Sequence, residues 1–123
     1  MKKIVLIVLL IMAGISVSAQ KKKKNAKAVI KVDGVCMMCK KRIEKAALST
    51  KGVKYAIWNV NTHDLSLIFD ERKTNLKSIK EVVANVGHDT KEIKATKEVY
   101  DNLHPCCKYR DEEVRDDHKQ KGK

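Results

Sequence analysis

Residues 28–95 predict an α+β fold: a ferredoxin-like βαββαβ sandwich, with a four-stranded antiparallel sheet and two helices on one face. Three observations carry this. Apolar residues recur at period two, then at helical spacing, then twice at period two, then at helical spacing again. Gly34, Gly52 and Gly87 fall at the changes of period. The apolar faces supply a single core, and 123 residues leave room for one small domain.

Ala28 to Asp33 is rich in β-branched residues, and Ala28, Ile30 and Val32 share one face. From Cys39 onward the period lengthens. Cys39, Ile43, Ala46, Ala47 and Thr50 line one side of a helix, with Lys40, Lys41, Arg42, Glu44 and Lys45 on the other. Lys51-Gly52 stops it, glycine standing just past the end. Val53 to Val60 alternates again through Ala56, Trp58 and Val60. Asn61-Thr62-His63-Asp64 is a polar turn, and Leu65, Leu67 and Phe69 return as a second strand, so the pair reads as a hairpin. Thr74 and Asn75 are suitable N-caps for an amphipathic helix through Leu76, Ile79, Val82, Val83 and Val86. Lys91 to Ala95 is read as a short, polar edge strand. Residues 96–110 form a C-terminal extension with a helical turn or two and a His-Pro-Cys-Cys motif. Residues 111–123 read as a disordered charged tail.

The amino terminus is not domain. A basic head, Met1-Lys2-Lys3, precedes an apolar or small-residue run from Ile4 to Ile15, and Ser16-Val17-Ser18-Ala19 supplies small residues before a cut. That layout is a signal peptide over residues 1–19, cleaved near Ala19. The run is shorter than the roughly 20 residues a spanning helix needs. A periplasmic or secreted protein is expected, without stable membrane insertion after cleavage. The formal charge of +12 falls by two with Lys2 and Lys3. Much of the remainder sits in the basic segment 20–27 and at Lys119, Lys121 and Lys123, as solvated ends. Export removes nucleic acid as a partner.

Four cysteines in an exported chain first suggest disulfides. Their arrangement, one C-x-x-C and one adjacent pair, is not the dispersed pattern of a stapled mini-protein. Cys36 and Cys39 lie between the first strand and first helix, with Cys39 expected to open that helix. Free N–H groups and the positive dipole end there favour thiolate over thiol. Two thiolates converging on one ion suit a soft ion content with two sulfurs, such as Cu(I) or Hg(II), whereas Zn(II) would take four ligands. A thioredoxin-type redox motif is the alternative. Against it stand Met37-Met38 between the cysteines and Pro105, the sole proline, outside the domain.

Val32-Asp33-Gly34-Val35-Cys36-Met37-Met38-Cys39, with the following Lys40-Lys41-Arg42-Ile43-Glu44-Lys45-Ala46, resembles the heavy-metal-associated domain. Lys51-Gly52-Val53 and Val86-Gly87-His88-Asp89 match its later landmarks. That family includes copper chaperones, amino-terminal domains of copper-transporting ATPases and a periplasmic mercury-scavenging protein. The resemblance implies that Cys36 and Cys39 are the metal ligands and that the ion passes to a partner by thiol exchange. One departure stands out. The family reads Gly-Met-x-Cys-x-x-Cys, whereas Val35 alone separates Gly34 from Cys36. The methionine that plugs the core beneath the site is thus missing, and Val35, Met37 and Met38 are the candidates to replace it.

Other side chains are candidate additional ligands. Met37 and Met38 are soft thioethers, although packing is the commoner use of methionine. His88 occupies the loop beside the cysteines, where some family members use a histidine that reaches the metal; its bland reading is an exposed turn residue. His104, Cys106 and Cys107 offer either extra ligands or a disulfide partner for Cys36 or Cys39. Four gathered sulfurs would admit Zn(II) or a copper cluster. His63 and His118 are read as surface residues. The function expected is a non-enzymatic carrier or scavenger of a soft metal ion, Cu(I) first, then Hg(II) or Zn(II). Its partner would be a metal-transporting membrane protein or another metal-binding domain. A monomer is expected, with a metal-bridged dimer as the variant, and a thiol-disulfide oxidoreductase using Cys106 and Cys107 is the competing function.

Overall fold

The computed structural model describes residues 21–121. The signal peptide and its cut near Ala19 lie outside the described residues. The elements are β1 (Ala26–Lys31), α1 (Met37–Ser49), β2 (Val53–Trp58), β3 (Asp64–Phe69), α2 (Leu76–Asn85), α3 (Lys97–Asp101), a 3-10 turn (Pro105–Cys107) and α4 (Glu112–Lys121). The antiparallel sheet has the order β1-β3-β2. Its register runs from Ala26 opposite Phe69 to Lys31 opposite Asp64 on one side of β3, and from Val53 opposite Phe69 to Trp58 opposite Leu65 on the other.

The period-two faces predicted from sequence are the buried ones. Ala26, Ile30, Val32, Ala56, Trp58, Leu65, Leu67 and Phe69 meet Cys39, Ile43, Ala47, Ile79 and Val83 from α1 and α2 in one cluster. Val29, Tyr55 and Ile57 face outward. Asn75 caps α2, its side-chain oxygen accepting the Ser78 N–H at 2.9 Å. Between β2 and β3, Asn59 Oδ1 accepts the N–H groups of Asn61 and Thr62, and His63 takes a positive φ of 64° to close the turn. Glu44 ties α1 to the sheet by accepting the Trp58 N–H at 2.8 Å. Lys40 closes the same link, donating to Glu44 and to the Trp58 carbonyl.

Three expectations need correction. The fourth strand does not form at 91–95. Only a single bridge, Val32 to Thr90, occupies that edge. The backbone groups that would pair are already taken: Thr90 N–H donates to the Ile93 carbonyl at 2.8 Å, Ile93 N–H to Thr90 Oγ1, and Ala95 N–H to Asp89 Oδ1 at 2.7 Å. A tight turn therefore replaces the ladder.

Second, residues 96–110 are not an appendage, because Tyr100, Leu103, Cys107 and Tyr109 belong to the main core. Gly87, at φ 107°, packs against Leu103 so closely that a Cβ would lie 2.7 Å from Leu103 Cδ2. Tyr109 Oη donates to the Gly87 carbonyl at 2.6 Å and accepts the Asp89 N–H at 3.0 Å. Arg110 binds the Asp89 carboxylate at 2.8 and 3.1 Å and the Ala95 carbonyl at 2.9 Å.

Third, the expected disordered tail forms α4 as far as Lys121. Asp111 accepts the Glu113 N–H at 3.0 Å, and Glu112 and Glu113 place negative charge in the first turn, where the dipole favours it.

Candidate metal centre

The loop leaving β1 is held from both sides. Asp33 N–H donates to the Asp89 carbonyl at 2.9 Å, and Gly34 lies over the Trp58 ring, where a Cβ would come within 3.0 Å of Cζ2 and Cη2. Only glycine lets the backbone approach the indole that closely. Trp58 itself is fully buried and donates Nε1–H to the Val32 carbonyl at 3.0 Å. It floors the loop. Of the residues expected to replace the plugging methionine, Val35 is the one packed on the core, while Met37 and Met38 are exposed.

Helix α1 opens at Met37, two residues earlier than expected, with Cys36 as its N-cap. Cys39 is therefore the third helical residue and is fully buried. The pair is electrostatically unequal. Burial works against ionising Cys36, but the facing N–H groups of Cys39 and Met38 and the thiols of Cys107 and Cys39 outweigh it, so its pKa falls below the usual thiol value. No conventional capping hydrogen bond is closed; the lowering comes from dipoles aimed at the sulfur. Burial first, then the thiol hydrogen bonds to Cys36 and Cys107, pushes Cys39 far up.

The second arm comes from the other end of the chain. His104 caps the 3-10 turn, its Nδ1 accepting the Cys106 N–H at 3.3 Å and lying 3.1 Å from Cys106 Sγ. Cys36 Sγ then stands 3.3 Å from Cys39, 3.2 Å from Cys107 and 3.9 Å from Cys106, and Cys106 is 3.8 Å from Cys107. All four are free thiols, so the disulfide partnership weighed for Cys106 and Cys107 is not formed. Cys106 is pushed up to about 11 by desolvation and by the neighbouring Cys107 and Cys36 sulfurs. Met38 Sδ accepts from Cys106 at 3.5 Å, at the edge of the cluster. Met37 lies on the rim.

His88 is neither an exposed turn residue nor part of this cluster. It is fully buried, donates Nδ1–H to the Asp33 carbonyl at 2.8 Å and stacks on Tyr109 at 5.4 Å. Arg42 lies 3.5 Å from its Nε2. Burial foremost lowers its pKa to about 4, so it is a neutral strut joining the cysteine loop to the C-terminal segment. His63 is half-buried, stacked on Trp58 at 5.5 Å. His118 donates Nε2–H to the Cys106 carbonyl at 3.1 Å, fastening α4 to the turn. Beside the cluster, Val35, Cys36, Met37, His63, Arg115 and Lys119 help line an open groove of about 530 Å³.

Sequence reasoning missed Trp58, Tyr109, Arg110 and His118 as parts of this centre. Trp58 was readable as core but not as the floor of the loop. Nothing local marks Tyr109 or Arg110, whose partners are more than ten residues away.

Comparison with known proteins places this geometry. Residues 29–89 match the family described as heavy-metal-associated domain. A probable copper-exporting P-type ATPase of Archaeoglobus fulgidus is 32% identical over 73 residues, which is 58% of this chain and 9% of that protein. The chain thus spans a small fraction of that relative. Among solved structures, a CopZ metallochaperone is 26% identical with a TM-score of 0.51, over 53% of this chain and 98% of that one. The amino-terminal domain of a potential copper-translocating P-type ATPase from Bacillus subtilis, in the Cu(I)-loaded state, is 25% identical with a TM-score of 0.51, over 54% and 84%. Strands β2 and β3, the two helices packed on the sheet and the cysteine loop at the start of α1 fall within the family-matched span, which begins midway along β1 at Val29. Residues 29–89 of this chain are a heavy-metal-associated domain.

Proposed function

We propose that this chain is an exported carrier or scavenger of a soft metal ion, Cu(I) in first place and Hg(II) in second. It takes the ion at Cys36 and Cys39 and passes it to a metal-binding domain of a membrane transporter. It is a binding protein rather than an enzyme. The observation that carries the reading is the Cys36–Cys39 sulfur pair, 3.3 Å apart at the amino end of α1. There the Cys36 pKa is lowered by the facing N–H groups and neighbouring thiols, which favours the thiolate, the form that binds metal. Thiolates select soft ions over the harder ions that prefer oxygen ligands. Release by thiol exchange follows from the same chemistry: an incoming thiolate adds to the ion as one of the two residents leaves. The likeness to a metallochaperone and to a Cu(I)-loaded ATPase domain supports this assignment. Export rests on residues 1–19. Among the described residues no helix is long and apolar enough to cross a membrane.

An anaerobic titration with Cu(I) tests the proposal. One tightly held ion per chain is expected, and loss of tight binding when Cys36→Ser and Cys39→Ser are combined. Undiminished uptake by that double variant refutes it. The mass of the protein recovered from the cell exterior or periplasm checks the cut after Ala19. One feature favours a second reading: the unequal pair, with Cys36 lowered and Cys39 raised, also suits a thiol-disulfide oxidoreductase. Catalytic turnover in an insulin-reduction assay would select it.

A further inference from the structure

We infer that an ion taken up at Cys36 and Cys39 is then retained by three sulfurs, Cys36, Cys106 and Cys107, with Cys39 giving way by thiol exchange, so that the His-Pro-Cys-Cys segment supplies most of the retaining site. This rests on the reading of Cys36 as a soft-metal ligand and adds a second arm that the C-x-x-C motif does not contain. Among the described residues, the group of candidate ligand atoms lying within 4.8 Å of one another is Cys36, Cys106 and Cys107, and Cys39 is not a member.

The spacing fits three-coordination. A metal–sulfur bond of about 2.3 Å sets two sulfurs about 4.6 Å apart across a linear ion, but only about 4.0 Å apart around a trigonal one. The Cys36–Cys106 and Cys106–Cys107 edges are 3.9 and 3.8 Å, and the Cys36–Cys107 edge is 3.2 Å. Two edges already have the trigonal length, and a modest outward movement of Cys36 or Cys107 brings the third to it. No edge approaches the linear value.

The second arm is also preorganised. Cys107 is fully buried, and the segment around it is fixed by Leu103 on Gly87, by Tyr109 on the Gly87 carbonyl and by Arg110 on Asp89. Little ordering entropy remains to be lost when the sulfurs close on an ion. Charge supports the same assignment. Three thiolates around a monovalent ion carry a net charge of minus two. The cationic side chains of Arg115 and Lys119 line the groove that reaches Cys36, and α1 presents its positive end at Cys36. Binding Cu(I) to three thiols releases three protons and needs no oxidant.

The test uses the purified full chain, reduced, with one equivalent of Cu(I) under anaerobic conditions. X-ray absorption should find three sulfurs per copper. Competition with a chromogenic Cu(I) chelator should show Cys106→Ser weakening binding by about tenfold or more, since loss of even an outer partner commonly costs that much. Cys106 is only partly buried, so its variant keeps the fold; far-UV circular dichroism confirms this, and the wild-type spectrum needs no variant at all. Two sulfurs per copper in the wild type, or unchanged affinity in Cys106→Ser, overturns the inference and leaves the carrier reading standing. A wild-type chain that takes up no copper overturns both.

Discussion

Replacing Arg110 with alanine should destabilise the apo protein by about 3 kcal/mol. Asp89 is 6% exposed, and its carboxylate accepts two guanidinium N–H groups together with the Ala95 N–H. Removing the guanidinium leaves that charge desolvated with one donor. Deleting one partner of a buried pair typically costs about 3–5 kcal/mol. Arg110 keeps 35% of its side chain in water, so solvent can replace part of what is lost, which brings the figure to about 2–3 kcal/mol. Its guanidinium also stacks on Tyr100 at 4.1 Å, adding about 0.5–1 kcal/mol. For a domain near this size the midpoint of thermal unfolding should drop by about 10–15 °C. Urea denaturation of the reduced protein, followed through the single tryptophan, Trp58, measures it.

The sign with pH follows from Asp89. Burial works against its carboxylate, but Arg110 outweighs it and holds the pKa below the ordinary 3.8. The contribution is fully present above that value and is lost as pH falls through the lower folded one. Combining Arg110→Ala with Asp89→Asn should cost less than the two changes separately, because the stranded charge is gone. A change under about 0.5 kcal/mol for Arg110→Ala would refute the reasoning. It would mean that residues 96–110 are not clamped to the domain, and the position of Cys107 would lose its support.

Three more outcomes are expected. His88, held neutral down to about 4 against 6.5 for a free histidine, makes the unfolded chain bind more protons between those values, so stability falls as pH drops from 6.5 to 4. The loss should reach about 3 kcal/mol at about 1.4 kcal/mol per unit, and His88→Gln should flatten the profile seen in urea melts at stepped pH. Gly34→Ala should cost about 1–3 kcal/mol by overpacking, since the new Cβ meets Trp58 at 3.0 Å and Cys39 Cβ at 3.1 Å; a shifted Trp58 emission maximum would accompany it, and an unperturbed melt would contradict it. Cys36 should alkylate with iodoacetamide before Cys39 at neutral pH, because the thiolate is the reactive form and the two pKa values move in opposite directions. Peptide mass mapping after a short exposure reads the order.

What the sequence made legible and what it hid divide along the range of the interactions. The buried faces of β1, β3, α1 and α2 are set by residues two to four apart, so Ile30 with Val32, Leu65 with Leu67, and Ile43 with Ala47 announce themselves by period alone. The missing strand at 91–95 failed because polar side chains took its backbone groups, Thr90 and Asp89 locally through the Ile93 and Ala95 N–H groups and Arg110 from fifteen residues away through the Ala95 carbonyl, and alternation of residue types shows none of this. Helix α4 has no strong apolar stripe to show; its visible signal was Asp111 followed by two glutamates, a cap rather than a period.

The same distinction applies to the centre. Cys36 and Cys39 lie within one turn of α1, so their meeting is local. Cys107 reaches Cys36 across 71 positions, and no spacing rule covers that distance. It is brought there because Gly87 has no side chain where Leu103 packs, and because Tyr109 finds the Gly87 carbonyl beneath it. A glycine at the end of α2 that reads as a helix stop is therefore also the seat of the C-terminal arm. Any larger residue at Gly87 would push Leu103 away, and with it the turn that carries Cys106 and Cys107, while the Cys36–Cys39 pair stayed in place.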